Sequence, residues 1–483
     1  TVLEPPCSNS NAGSLNTVTH LSWLLFSVIS LLIVIQENFA QYVPPAPSVE
    51  PLYPKGLRMS IPHEDGITLV AYHAKFNEDF NGLEAGTIAR DIVKVRNGRW
   101  TYEDRTTRLK RGDTIYYWIH VVYDGLGYNL IDKSYVVNDF YNFDGTPVTS
   151  VTTSPVGPTP CTKMSVTTTY DKEGTRHDVC SGQLIFEENF DTFNRDRWTI
   201  VERFSGSPHY EYVVYMDSDD TVQVKDGALL LKPIFTDDKY GQGFSRTGSL
   251  VLSKCTGTAG TSSCKRTAFG SYILPPIISG RVNTKSSFTF VYGRVEVRAK
   301  LPRGDWAFPL ITLETRDKYL ENLTYCDLII AHANGNPSLR APDGNEFGGR
   351  ILIAGALASV QGQSNTEHLP MKVSNEALWS SDYHTYELEW RSGEVSVKVD
   401  GVQYGVQRIP ALYDRPVYIN FGVAVGGQIL FPDGSISGSH RKPWRNVGSK
   451  AQFQFASADN EWLQSWRAGD PALRVDYVKV WAL

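Results

Sequence analysis

Tyr325-Cys326-Asp327-Leu328-Ile329-Ile330-Ala331-His332-Ala333-Asn334-Gly335-Asn336 is the stretch whose reading decides the fold of the larger part of this chain. A short aliphatic run closed by a turn signal reads as a β-strand buried in a sandwich. Asp327 is its one carboxylate. Ile329 can hold neither a proton nor a hydrogen bond, and His332 brings an imidazole, which in principle acts as a general acid near neutral pH. Upstream lies Tyr292-Gly-Arg-Val-Glu-Val-Arg-Ala-Lys-Leu-Pro-Arg-Gly-Asp-Trp306; downstream come Tyr386-Glu-Leu-Glu-Trp390 and Val423-Ala-Val-Gly-Gly427.

Together these stretches resemble the laminarinase-type, family-16 glycoside hydrolase β-sandwich. In active members of that family the corresponding strand reads Glu-Ile-Asp-Ile-Val-Glu-x-x-Gly-Asn, with a bulge that brings the last Glu onto the face of the first two acids. Anchoring on Gly335-Asn336 puts Asp327 at the nucleophile position, Ile329 at the middle acid and His332 at the acid/base. A retaining mechanism needs two carboxyl groups about 5 Å apart, one attacking the sugar and one, with raised pKa, protonating the leaving oxygen. This strand offers one, and Asp is a methylene shorter than Glu. The resemblance therefore implies a concanavalin-like sandwich over residues 181–483 whose catalytic Glu/Asp/Glu positions are replaced by Asp327, Ile329 and His332. Gln183-Leu-Ile-Phe-Glu-Glu-Asn-Phe-Asp191 matches the family's first strand and Leu473-Arg-Val-Asp-Tyr-Val-Lys-Val-Trp481 its last.

Asp305-Trp-Ala-Phe-Pro-Leu-Ile-Thr-Leu-Glu314 aligns with a family pattern of the type Asp-Trp-x-Trp-Pro-Ala-Ile-Trp. Trp306 stays, while Phe308 and Thr312 replace two indoles of the cleft floor. Trp306, Phe308 and Trp444 are the expected remaining cleft aromatics. Val425-Gly426-Gly427 lacks the frame of a phosphate-binding loop and is expected to be a tight turn.

From Tyr42 to Gly145 short β-segments alternate with turn residues: Leu57–Ile61, Ile67–Phe76, Arg99–Glu103, Thr114–Tyr123 and Ser134–Phe140. That spacing predicts an immunoglobulin-like β-sandwich over residues 41–145. Thr114–Tyr123 is apolar on both alternating faces, as a central strand is. Tyr53-Pro-Lys-Gly-Leu-Arg-Met-Ser-Ile-Pro-His-Glu-Asp-Gly66, Gly82-Leu-Glu-Ala-Gly86, Asn97-Gly-Arg-Trp100 and Gly112-Asp-Thr-Ile-Tyr-Tyr-Trp118 resemble the N-terminal glucan-binding module of arthropod β-1,3-glucan recognition proteins, also called Gram-negative-bacteria-binding proteins. That family pairs this module with a glucanase-like domain, in the order found here, and its members usually lack hydrolytic activity. The resemblance implies ligand contacts from Arg99 and from Glu64 and Asp65; Ile88 stands where relatives often carry Trp. Arg90, Arg99 and Trp100 belong to a basic, aromatic stretch running to Arg111, which suits sugar hydroxyls and ring faces. The same stretch suits a solvated, charge-protected sheet edge, and spacing alone does not choose.

Residues 1–40 read as a leader with a secretory signal, its apolar core spanning Leu21–Ile35 and cleavage expected after Ala40; this core is too short for a comfortable membrane span. Residues 146–180 have the Thr/Ser/Pro composition of a linker. Secretion permits disulfides, and close spacing pairs Cys161 with Cys180 and Cys255 with Cys264, leaving Cys326. Asn322-Leu-Thr324 is a glycosylation sequon. A net charge of -5 gives no reason to expect nucleic acid, no Cys/His spacing resembles a zinc site, and no cofactor is called for.

The reading is thus an all-β, secreted, non-enzymatic recognition protein for microbial β-1,3-glucan, extracellular and, in an arthropod, carried in haemolymph. The family resemblance implies serine proteases of a defence cascade as partners. Two alternatives stay open: an endo-β-1,3-glucanase using Asp327 with His332, Glu314 or Glu321, and a binder of lipopolysaccharide or lipoteichoic acid through Arg90–Arg111.

Overall fold

The computed structural model describes residues 42–148, 161, 163–207, 209–316, 323–360, 363–364 and 369–483. The expected leader, the Asn322 sequon and Glu321 lie outside the described residues. Two compact units emerge, one ending at Val148 and the other beginning at Cys161. Among the described residues no helix is long and apolar enough to cross a membrane.

The first unit contains β1 (Ser48–Pro51), β2 (Leu57–Pro62), β3 (Ile67–Phe76), β4 (Ile88–Ile92), β5 (Arg99–Asp104), β6 (Thr114–Tyr123) and β7 (Leu126–Val136). They form a three-stranded sheet, β1-β2-β5, and a four-stranded sheet, β4-β3-β6-β7. Alternate residues of each sheet point inward: Leu57, Met59 and Ile61 from one meet Val70, Tyr72, Ile115, Ile119 and Val121 from the other. The outward face of β6 is apolar as well because Trp118 is covered. His73 stacks on it at 3.8 Å, and its indole N–H donates to the Glu84 carbonyl at 3.0 Å. β1 and β4 escape the sequence pattern, one broken by proline and the other carrying Arg90 and Asp91. The last strand ends at Val136 instead of reaching Phe140, because an edge strand with Leu126, Ile131 and Val136 exposed shows little alternation.

In the second unit two large sheets enclose the main core. One carries Leu323–His332 between Ala307–Thr315 and Ile351–Val360, with Val417–Val425 on the far side of Ala307–Thr315. The other is built around Leu473–Trp481, Gly293–Lys300 and His384–Arg391. Gly426, at φ 63°, ends the Val417–Val425 strand where a Cβ would stand 2.4 Å from the Tyr212 ring, so the expected turn also needs glycine for space. Two short helices, Ala451–Ser457 and Asp459–Ala468, went unread in the sequence. They bring Phe455, Trp462 and Trp466 into a second, aromatic cluster.

The linker expected over 146–180 is corrected at both ends. Pro147 bridges Tyr141, and the Val148 N–H donates to Phe140, so residues 146–148 belong to the first unit. β8 (Met164–Tyr170) and β9 (Arg176–Cys180) form a hairpin, and β8 pairs with Thr289–Val291 to extend the larger sheet. Thr167 and Thr169 point into the protein: a threonine-rich run suits a strand as well as a tether, and composition did not separate the two. Disulfides join Cys161 to Cys180 and Cys255 to Cys264, while Cys326 is buried as a free thiol. The Ser165 hydroxyl donates to the Leu483 carbonyl at 2.7 Å, and the Leu483 N–H donates to Thr167 Oγ1 at 3.0 Å.

Candidate functional site

The cleft lies on the face of the larger sheet turned away from the core. Side chains alternate along Leu323–His332, so Asp327 and Ile329 share that face. Ile329 pairs with Gly355 but His332 with Ile353, a slip of one residue. This bulge sends Ile330 and Ala331 into the core and returns His332 to the cleft face. Asp327, Ile329, His332, Phe308 and Thr312 therefore line one cavity.

The protonation of His332 is strongly displaced. Burial drives its pKa down to about 4, the neighbouring His209 adds to the effect, and contacts to Asn334 and the Pro309 carbonyl only partly offset it. Its Nε2 is buried with no hydrogen-bond partner. An imidazole in this state is neutral at pH 7, and its remaining ring N–H is far too weakly acidic to protonate a leaving group.

A second carboxylate does face the cavity. Glu314 sits directly across from Asp327 on the adjacent strand, with Tyr418 on its other side. It is held: Arg281 Nη2 donates to Oε1 at 2.5 Å and the Tyr418 hydroxyl to Oε2 at 2.7 Å. Arg281 Nε also donates to Asn420 Oδ1 at 2.8 Å, and Asn420 Nδ2 donates to Thr312 Oγ1 at 3.1 Å. Burial and the Glu314 charge next to it push the Tyr418 phenol far above its usual range, so it stays an O–H donor. These polar groups answer one another, leaving little for a sugar. Arg281, Tyr418 and Asn420 were not among the expected residues. Alternation along Val417–Val425 exposes Tyr418 and Asn420 as partners of Glu314 and Thr312, but the pairing register is needed to see it.

Trp306 and Trp444, expected on the cleft, are corrected to core residues. They are 1% and 2% exposed and pack edge to face at 5.0 Å, with Phe431 and Phe455 around them. The Trp444 indole N–H donates to the Gly427 carbonyl. No ring face is left for a sugar. Phe308, also nearly buried, is the expected aromatic that does reach the cavity. Among the described residues no group of three or more His, Cys, Asp or Glu is arranged to hold a metal ion.

In the first unit Glu64 and Asp65 are exposed on the β2–β3 turn, and Arg99 lies at the same end, opposite Pro62. Its guanidinium is oriented by Ser60, with Nε donating to Oγ at 2.9 Å and Nη2 to the carbonyl at 3.0 Å. The three residues share one end of the β2–β5 pair. Arg90 is exposed on β4, in the other sheet, opposite Tyr72. Trp100 is corrected to the core: it is 3% exposed and packs with Ile61 and Tyr72 in the interior cluster. Ile88 is buried in the same cluster and fills core volume instead of offering a ring to solvent.

Comparison with known proteins adds the following. The family CBM39, described as "Carbohydrate binding domain (family 32)", matches residues 43–154. Beta-1,3-glucan-binding protein 1 of Manduca sexta is 36% identical, covering 95% of this chain and 100% of its own length. Beta-1,3-glucan-binding protein 1 of Galleria mellonella is 37% identical over 91% and 96%, and Gram-negative bacteria-binding protein 3 of Drosophila melanogaster 35% over 92% and 95%. Among solved structures, the laminarinase of Rhodothermus marinus is 17% identical with a TM-score of 0.39, covering 62% of this chain and 97% of that one.

Proposed function

Because the chain belongs to the family of β-1,3-glucan-binding and Gram-negative bacteria-binding proteins, we propose that it recognises microbial β-1,3-glucan through residues 41–145 and does not hydrolyse it. Near-full-length identity to proteins named for glucan binding supports the first half. The second half rests on one observation: His332, at the acid/base position, is buried and neutral. Asp327 shares its cavity with Ile329 and this neutral His332, neither of which can serve as the general acid, and Glu314 is engaged by Arg281 and Tyr418. Each missing catalytic role costs orders of magnitude, general acid catalysis alone being worth roughly 10²- to 10⁴-fold. Secretion by way of residues 1–40, glycosylation at Asn322 and hand-over to serine proteases of a defence cascade complete the proposal.

The test is pull-down of the full chain and of its separated halves on insoluble β-1,3-glucan, with a reducing-sugar assay alongside. We expect residues 41–148 to sediment with the glucan and no fragment to release sugar. Turnover by the purified chain that vanishes in Asp327→Ala would restore the glucanase reading. A folded first unit that stays in the supernatant would remove the binding assignment.

A further inference from the structure

The four-stranded sheet of the first unit turns one face to the core, and its other face is hollow. Pairing register runs a single row across that outward face: Asp91 on β4 stands opposite Ala71 on β3, Ala71 opposite His120 on β6, and His120 opposite Asn129 on β7. Leu69 and Val122 form the next row on one side, His73 and Trp118 the next on the other. A methyl group among larger neighbours makes a trough, and these side chains line one cavity with Leu83, 59% exposed, at its rim. The His120 ring lies over Gly127, where a Cβ would stand 2.5 Å from its Cε1, so it leans toward β7 and leaves Ala71 uncovered.

The polar atoms of the trough are mostly acceptors. His73 Nδ1 lies 3.0 Å from the Ala85 carbonyl and His120 Nδ1 2.7 Å from Asn129 Oδ1. Both oxygens only accept, so each neutral ring carries its proton on Nδ1 and keeps a lone pair on Nε2. Asp91 adds an exposed carboxylate that no cation among the described residues approaches within ion-pair distance, and Asn129 keeps its amide N–H groups as donors. A metal ion or an ammonium group is a single point, whereas Asp91 and His120 stand two strands apart, about 10 Å at the backbone. A pyranose ring meets demands spread in this way. Its hydroxyls donate outward around the ring, a vicinal pair suits a carboxylate, and its C–H face suits an aliphatic floor.

We propose that this trough is a saccharide site holding a pyranose residue of a β-1,3-glucan chain, its hydroxyls on Asp91 and His120 and its C–H face over Ala71. The proposal rests on the glucan reading of this unit and adds a second face to it. Arg99, Glu64 and Asp65 lie at one end of the β2–β5 pair, while the trough lies on the outer side of the opposite sheet, with the core between. Each unit then holds two stretches of glucan at once and ties neighbouring chains together.

The test is equilibrium dialysis of the full chain against laminarihexaose, with light scattering of long soluble β-1,3-glucan alongside. Ala71→Leu, which fills the trough from its floor, should bind one hexaose fewer per chain than wild type. Asp91→Asn, at an exposed position on an edge strand, tests the site without touching the packing and should weaken that same hexaose about tenfold. Both variants should keep the wild-type circular dichroism and still sediment with insoluble glucan through the Arg99 end. Wild type should raise the scattering of the soluble glucan by bridging its chains, and Ala71→Leu should not. Equal numbers of hexaose on wild type and a folded Ala71→Leu, unchanged affinity in Asp91→Asn, or undiminished bridging by Ala71→Leu would overturn the proposal while leaving glucan binding in place. A wild-type chain that neither takes up hexaose nor sediments with glucan would remove the glucan reading itself, and the trough site with it.

Discussion

His332 is pulled toward the neutral state, and this has a consequence for stability as well as for chemistry. Its folded pKa of about 4 lies below the ordinary histidine value of 6.5, so between these two pH values the unfolded chain binds a proton that the folded chain refuses. Stability is then lost as pH falls from 6.5 towards 4, by roughly 3 kcal/mol at the low end. Urea unfolding of wild type and His332→Phe at pH 7 and pH 4.5 should show a wild-type penalty on acidification that the variant lacks; equal pH dependence would mean that His332 is not the group responsible. The Arg281–Glu314 pair makes a different demand. Both groups are largely shielded, so Glu314→Ala should leave an unmatched guanidinium and cost about 3–5 kcal/mol in denaturant unfolding. At this scale the sequence was legible where neighbours along the strand decide the matter, as for Asp327, Ile329 and His332. It was not legible where the partner lies on another strand: nothing in the spacing of Arg281, Glu314 and Tyr418 announces that they meet. Trp306 and Trp444 were misplaced for a related reason, since indoles suit cleft walls and cores alike and only packing chooses.

The bulge in the strand Leu323–His332 sets Asp327, Ile329 and His332 on one face. Restoring acids by Asp327→Glu, Ile329→Asp and His332→Glu should therefore place three carboxyls on one face and still yield no detectable reducing sugar. They would stand among Leu310, Ile353 and Leu357, where burial opposes the ionised nucleophile, and beside Phe308 and Thr312, which offer a sugar no indole face. Release of sugar by the triple variant would mean that the subsites are intact. In the first unit, Arg99→Ala should weaken glucan sedimentation of residues 41–148 without changing the fold. The loss of two hydrogen bonds to Ser60 is tolerable at a half-exposed strand end, so undiminished sedimentation would make Arg99 a brace for β2 and nothing more. Elements buried on both faces announced themselves, and Val417–Val425 and Leu473–Trp481 have the expected limits. The edge strands β1 and β4 did not, nor did the threonine-rich β8: they carry too few apolar residues for period-two patterning to register.

Across the whole molecule, division into two units and the all-β character of each could be read from turn spacing and from the two family resemblances. Each unit has a self-contained hydrophobic core, so residues 41–148 expressed alone should show a cooperative thermal transition, its midpoint raised by soluble laminarin if this unit binds glucan. A midpoint indifferent to laminarin would count against the assignment. The boundary was displaced because β8 and β9 are sewn to the second unit from its first residues onward. That seam has a mechanical meaning. β8 holds Leu483 through Ser165 and Thr167, and Gly182 and Gln183 hold Ala482, so the chain enters and leaves the second unit at a single corner. A pull arriving along the backbone at Cys161 meets β8 and β9 first, and β8 divides it, part through Ser165 and Thr167 to Leu483 and part through Thr289–Val291 into the sheet that carries the cleft.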